Sequence, residues 1–147
     1  MDKRSLICGI VVAFAALVLG FLVHGVVLRA DYLALAALYR TQAEANAQAG
    51  WIIVAYLCMG LSMTWLYLQL PARATGRLVH GLRFGLAIAL VSFVPWHLLA
   101  FVGQPLPGAL ALRQVLFDTA SMLLLGLLLA WLEPRRAVLR DPPPRVR

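Results

Sequence analysis

One carboxylate, Asp118, lies inside a long apolar stretch of the chain. If that stretch crosses a membrane, insertion scales put the cost of a central carboxylate at about 2.5–3.5 kcal/mol, so it should face protein and have a partner. Two interpretations remain open. Asp118 forms a proton, cation or substrate site, or it is a structural lock that bonds to Ser62, His24 or a tryptophan.

Two histidines fall at a similar depth to this carboxylate. At the helical rise of about 1.5 Å per residue, His24 and His97 both lie near the same ends of their apolar segments as Asp118. Arg113 precedes Asp118 by one and a half turns, about 7.5 Å along the axis. His24, His97 and Asp118 should therefore share one layer. We predict one ligand-binding or proton site from the polar residues in this half of the bundle: Asp118, His24, Arg113, His97 and Ser62.

The same histidines allow a different chemistry. With Asp118 they could hold a transition metal, and two histidines on facing helices could hold haem. However, twelve residues separate Gly85 from His97, about 120° around a regular helix, so His97 should point sideways unless Pro95 kinks the helix. The sequence has no H-x-x-x-H, C-x-x-C or E-x-x-H spacing. We predict no metal or cofactor, and keep a His24, His97 and Asp118 metal or haem site as the alternative.

These residues must be positioned by membrane helices. Of the 147 residues, 63% are hydrophobic and 13% are charged, whereas soluble domains have roughly 45–50% and 25%. Four apolar segments reach the roughly 20 residues that a spanning helix needs. The predicted fold is all-α: a single four-helix transmembrane bundle over residues 1–133, with helices at about 6–28, 42–70, 77–102 and 109–133.

Local signals refine the longest loop, which follows the first helix. Thr41 and Glu44 have the T-x-x-E spacing of a capping box, so the second helix should start near Gln42 and continue into the membrane. Before it, Tyr32 and Tyr39 belong to a short piece with helical spacing. We expect that piece to lie in the membrane interface with its tyrosines at the headgroups.

Positive charge sets the predicted topology. Ten of the thirteen Lys and Arg residues fall on the side of the two termini and three on the other, which predicts cytoplasmic N and C termini. Residues 134–147 should form a disordered, basic, proline-rich cytoplasmic tail. The net charge of +7 is typical of headgroup attraction and not of nucleic-acid binding. The expected lipid-headgroup contacts are Arg77, His80, Arg83, Arg135 and Arg136.

Small residues mark the faces that should pack, because membrane helices associate through close approach of Gly, Ala and Ser. The Gly81-Leu-Arg-Phe-Gly85 sequence opens such a face on the third helix, and Gln114, Asp118 and Ser121 share a face of the fourth. These faces predict a compact bundle within one chain. The open alternative is that one face, that of the first helix, serves a homo-oligomer.

The chain resembles small four-helix bacterial inner-membrane proteins of unknown function. The resemblance covers the order of segments, with Gly20-Phe-Leu-Val-His24-Gly25 closing the first helix, Gly81-Leu-Arg-Phe-Gly85 opening the third, and Phe117-Asp118 with Gly126 on the fourth. It implies a multi-pass protein of the inner membrane. It implies no activity and no site residues.

No catalytic motif is present, since the sequence lacks G-x-S-x-G, H-E-x-x-H and a P-loop. We therefore expect a non-enzymatic membrane protein that binds or moves a small solute or lipid, or acts as a small partner subunit in the bilayer. The alternative is a metal- or haem-binding redox protein that uses His24 and His97.

Overall fold

The computed structural model describes residues 3–70 and 76–132. All regular structure in these ranges is helical, and four of the helical stretches are long and apolar enough to cross a membrane. The proposed tail, with Arg135 and Arg136, lies outside the described residues. We use "distal end" for the end of the bundle opposite the N-terminus, where residues 28–48 and 104–107 connect the helices.

The first stretch changes its helical type near the distal end. Helix α1 (Lys3–Gly20) continues directly into a π-helical segment, Phe21–Val27, in which Leu28 N–H donates to the carbonyl of Val23 at 2.8 Å. A short helix α2 (Arg29–Ala34) and a 3₁₀ turn (Ala36–Leu38) follow. The chain therefore turns back over the distal end with little unstructured backbone.

The predicted capping box is confirmed, but the helix that it opens is short. Thr41 caps helix α3 (Gln42–Ala47), with the Thr41 hydroxyl and the Glu44 carboxylate each accepting from the other residue's backbone N–H. The backbone then leaves helical geometry at Gln48. The second long apolar stretch is a separate helix, α4 (Ala49–Gln69), and does not run unbroken from Gln42 as we expected.

The third stretch contains a second π-helical segment. Helix α5 (Arg77–Ile88) leads into Ala89–Phe93, which leads into α6 (Val94–Gly103). Pro95 lies in the first turn of α6. Because proline lacks an N–H and its ring meets the carbonyl four residues earlier, it is tolerated where the regular hydrogen-bond ladder is already interrupted. The last stretch is the regular helix α7 (Gly108–Leu132).

Glycines bring the helices together in two tight pairs. In the α1–α4 pair, Gly60 packs on the backbone of Ala13, so a Cβ at Gly60 would meet Ala13 backbone atoms. In the α5–α7 pair, Gly81 and Gly85 pack on the backbone of α7 around Gly126. Helix α1 also packs on α7, which joins the pairs in the spatial order α4, α1, α7, α5.

Large side chains close the bundle at the end opposite the distal one. The Tyr67 ring of α4 meets the Phe84 ring of α5 edge-to-face, with centroids 5.2 Å apart. Both side chains belong to one apolar core with residues of α1 and α7. The distal end has a smaller apolar cluster of its own (Val23, Leu28, Leu106 and Leu110). Between the two clusters lie the polar side chains described next.

Candidate functional site

Asp118 is the centre of a hydrogen-bonded cluster between the two helix pairs. Its Oδ1 lies 3.1 Å from Nε2 of His24, and its Oδ2 lies 2.5 Å from Nε2 of His97. Asp118 is 5% exposed and His97 6% exposed, whereas His24 is only partly buried. The structure thus brings together the three residues that were expected to share a layer, with the carboxylate between the two rings.

The chain of hydrogen bonds continues beyond His24. The Tyr32 hydroxyl lies 2.7 Å from Nδ1 of His24, and Nε2 of Gln114 donates to that hydroxyl at 2.9 Å. Burial raises the pKa of Tyr32, although the Gln114 bond opposes the shift, so the phenol keeps its proton at neutral pH. Because Nε2–H of a neutral His24 ring faces the carboxylate, its Nδ1 is an acceptor for the Tyr32 O–H.

Helix α7 presents its members of this cluster from one face. Gln114 and Asp118 are four residues apart, so their side chains lie one above the other along the helix. Ser121 is on the same buried face, but its hydroxyl donates to the carbonyl of Phe117 within the helix. The polar face predicted from the sequence is therefore buried in the structure. Its two residues nearest the distal end, Gln114 and Asp118, belong to the hydrogen-bonded cluster.

The π-helical segments explain how both histidines reach Asp118. His24 lies within the first segment, and His97 lies four residues after the second one. A π turn holds one residue more than an α turn. That extra residue removes about 100° from the expected rotation of about 120° between Gly85 and His97, leaving about 20°. The expectation that His97 points sideways was wrong because it assumed a regular helix.

A cavity of about 350 Å³ opens beside the cluster. Aromatic and polar side chains from several distal elements line it: His24, Tyr32, Tyr39, Phe93, Trp96, His97, Gln104, Gln114 and Asp118, with Ala100 and Leu106. Gln114 is 7% exposed, and its Oε1 is a buried acceptor without a hydrogen-bond partner among the described residues. Buried acceptors are rarely left unpaired, so this atom points to a missing donor.

Two residues of the predicted site lie elsewhere. Arg113 forms a two-oxygen ion pair with Asp31 of α2, at 3.0 and 2.8 Å, and its side chain is largely exposed. Five residues from Asp118 on a helix corresponds to about 140° of rotation, which places Arg113 on another face. Ser62 is exposed on α4, and no hydrogen bond within the described ranges joins it to Asp118.

The basic residues at the opposite end have different roles. Arg77 donates from Nε to the carbonyl of Ala130 at 2.9 Å and from Nη2 to that of Trp131 at 3.1 Å, so it caps the last turn of α7. The His80 ring packs on Tyr67, with centroids 5.3 Å apart. Arg83 is exposed beside an apolar groove between α4 and α5. Headgroup contact by these residues stays a prediction.

The donor arrangement bears on the metal alternative. Within residues 3–70 and 76–132, no three His, Cys, Asp or Glu side chains are arranged to hold a metal ion. Both Nε2 atoms face the same carboxylate, and Nδ1 of His24 is bonded to Tyr32. A metal or haem would have to displace these bonds, so the donor set does not fit either group as it stands.

Sequence reasoning missed three parts of the site. Tyr32 and Tyr39 were expected at lipid headgroups, yet both line the cavity, and their rings meet edge-to-face with centroids 5.2 Å apart. Gln114 was assigned to packing although it supplies the unpaired acceptor. The available signal was the pairing of an amide and a carboxylate at i, i+4 on an otherwise apolar helix.

The chain matches no protein-family model, no curated protein and no solved structure. The chemistry of this cavity is therefore the basis for assigning a function to the chain.

Proposed function

We propose that the chain is a multi-pass protein of the bacterial inner membrane, with both termini in the cytoplasm, and that its distal cavity binds a small polar solute from the outer side. The apolar outer surface of all four long helical stretches supports membrane insertion. Their outward faces carry large apolar side chains, among them Val91, Val102, Trp51 and Trp131, each at least 70% exposed. Soluble proteins rarely expose apolar surface of this extent to water.

The observation that carries the binding proposal is a cavity lined by both Asp118 and Gln114, taken together with the buried Oε1 of Gln114, which has no hydrogen-bond partner among the described residues. A purely structural lock needs partners for its own polar atoms, and the two histidines already supply these for the carboxylate. It needs neither a cavity nor an additional acceptor. A bound molecule with an N–H or O–H group satisfies Gln114 and explains both.

The cluster favours binding and proton exchange over covalent chemistry. Histidine is the side chain best suited to exchange a proton near neutral pH. Two histidine rings bonded to one carboxylate therefore place an exchangeable proton beside the cavity. Ser92 and Ser121 donate to carbonyls of their own helices and are not aligned with a histidine base. We therefore propose a solute-binding or solute-moving protein and no enzymatic step.

Retention of a small molecule tests this proposal. The full chain, purified in mild detergent, is examined by native mass spectrometry beside Gln114→Leu and the matched variant Gln69→Leu. Gln69 is an exposed glutamine at the end of α4. We expect a bound small molecule in the wild type and in Gln69→Leu, and its loss in Gln114→Leu. No bound molecule, or equal binding in all three, contradicts the proposal.

The same sample tests the alternative. A stoichiometric transition metal by elemental analysis, or a haem absorption band, that disappears in His24→Ala would favour the redox protein. Topology is tested separately with reporter fusions after Arg147 and in the distal loop at Gln104. We expect cytoplasmic reporter activity from the first fusion and external activity from the second.

A further inference from the structure

We propose that the solute is an organic cation, a protonated amine on a small apolar body, and that it binds in exchange for a proton held by the His24–Asp118–His97 cluster. This inference rests on the proposed function and assigns its ligand. It follows from the hydrogen-bond inventory of the cavity, from its charge, and from its walls.

The cluster around Asp118 uses its ring N–H and Tyr32 O–H donors internally and leaves one acceptor unpaired, while Tyr39, Trp96 and Gln104 add further N–H and O–H groups to the cavity lining. The two Nε2–H groups face Asp118, and the Tyr32 O–H faces Nδ1 of His24. One amide hydrogen of Gln114 is used by Tyr32, while its Oε1 has no partner among the described residues. A ligand that only accepts hydrogen bonds, such as a carboxylate, leaves this oxygen unpaired. An ammonium group carries several donors and no acceptor.

The charge of the site favours the same ligand. With both histidines neutral, the cluster carries the single negative charge of Asp118. The nearest cation on α7, Arg113, is already neutralised by Asp31 of α2. The other titratable groups that approach the carboxylate are phenols: Tyr32 with Tyr39 behind it, and Tyr56 from α4.

These phenols add no charge at neutral pH. Burial raises the pKa of both Tyr32 and Tyr39 above the ordinary phenol value. The cavity lining contains no lysine or arginine among the described residues. An ammonium ion therefore meets an uncompensated carboxylate region, whereas an anion meets repulsion.

The walls suit an organic cation better than a metal ion. Phe93, Trp96 and Tyr39 contribute aromatic rings to a cavity of about 350 Å³, a volume in the range of small-molecule pockets. Aromatic faces attract ammonium groups, with tryptophan the strongest. The apolar area of the same rings can bury a hydrocarbon body. A bare metal ion has no hydrocarbon body to bury against these walls, and it finds no arranged ligand set within the described part of the chain.

Proton exchange follows from the two histidines. Protonation of either ring places an imidazolium beside Asp118 and cancels the charge that attracts the ligand. The cation and the proton therefore compete for one carboxylate, and each lowers the affinity for the other by the same factor. Where the proton occupies the cluster, lowering the pH by one unit should lower cation affinity by up to about tenfold, because one proton competes with one cation. The displaced proton passes to solvent, and no covalent bond changes.

The test compares three probes of matched size on the full chain in lipid nanodiscs. Isothermal titration calorimetry measures benzylammonium, neutral benzyl alcohol and anionic benzoate at several pH values between about 5 and 8, a range that spans histidine titration. Repeating one titration in buffers of different ionisation enthalpy counts the protons released. We expect benzylammonium to bind most tightly, benzoate not to bind, and proton release to approach one per cation at acid pH.

Variants separate the site from the fold. Asp118→Asn should abolish benzylammonium binding. If that variant does not fold, Gln114→Leu carries the test, with an expected loss of tenfold or more in affinity against Gln69→Leu, which should bind as the wild type does. Binding that is unchanged in Gln114→Leu overturns the assignment of this cavity.

The outcomes distinguish the two proposals. If benzyl alcohol binds as tightly as benzylammonium, or if benzoate binds best, the cation inference fails while the proposed solute-binding function stands. If benzylammonium affinity does not change with pH, proton exchange fails. If neither donor probe binds and the purified protein retains no small molecule, both the inference and the proposed function fail.

Discussion

Replacement of Gly126 by alanine tests the packing that holds the site in place. Gly126 lies where α7 crosses α5, and an added Cβ would meet the Gly81 carbonyl oxygen and lie 2.9 Å from N and 3.0 Å from Cα of Gly85. All three neighbours are backbone atoms on a helix. They cannot rotate away as a side chain would, so the helices themselves must separate.

The expected cost follows from these distances. Non-bonded atoms rest at about 3.5–4.0 Å for carbon, so α5 must move by about 0.5–1 Å. Overpacking of this kind typically costs about 1–3 kcal/mol. Alanine recovers part of that cost, because glycine inside a helix is less stable by about 0.5–1 kcal/mol. We expect a net loss of about 1–2 kcal/mol for Gly126→Ala, and weaker benzylammonium binding because α5 carries His97 through α6.

Reversible unfolding in mixed micelles by circular dichroism measures this loss. The matched control is Gly50→Ala in α4, where an added Cβ meets nothing within 4 Å and the backbone φ is not positive. The control should be as stable as the wild type or slightly more stable. If Gly126→Ala matches Gly50→Ala, the close α5–α7 crossing is refuted, and with it the account of how His97 is placed.

Three further predictions address the site and its surroundings. Tyr32→Phe leaves a ring nitrogen and an amide of the cluster without their partner, so it should cost about 1–3 kcal/mol in the same unfolding assay; an unchanged stability would contradict the hydrogen-bond chain. Insertion of one alanine after Val91 should turn His97 away from Asp118 by about 100°. The hydrogen bond between His97 Nε2 and Asp118 Oδ2 should then be lost, which ¹⁵N NMR of the His97 ring detects. An unaltered ring signal would contradict the role given to the second π-helical segment. Hydrogen bonds from Thr41 lower the pKa of Glu44, so the capping stabilisation of α3 is complete above the ordinary glutamate pKa and is lost as pH falls through the lowered value. The protection of α3 amides, measured as exchange relative to the intrinsic rate at the same pH, should fall there, and Glu44→Gln should remove this pH dependence.

The four long apolar helical stretches were predictable because their signal is additive along the chain. Apolar residues sum over roughly 20 positions, and one irregular turn does not erase that sum. Thr41 with Glu44 was equally readable, because a capping box is a local pair at fixed spacing. The break at Gln48 was not, since no proline or glycine marks that position.

The position of the site residues along the helix axes was predictable, but the direction in which each side chain points around its helix was not. Helical rise places His24, His97 and Asp118 in one layer whatever the turn type, because a single extra residue changes depth only slightly. Rotation is more sensitive, since the same extra residue shifts a side chain by about 100°. For Arg113 the regular geometry of α7 holds, and it directs the side chain away from Asp118. Its partner is Asp31 of α2, which the sequence alone did not place beside it.

Asp118 also joins the two tight helix pairs of the bundle. His97 belongs to the same tight pair as Asp118, whereas His24 belongs to the α1–α4 pair, and both bind the one carboxylate. The hydrogen bond from Gln114 to Tyr32 also crosses between the two pairs, one turn of α7 away. Any separation of the two pairs would therefore stretch the His24–Asp118 bond together with the Gln114–Tyr32 bond, and a longer His24–Asp118 bond would change the proton affinity of the cluster. By reciprocity, gain or loss of a proton there changes the resting angle between the two halves.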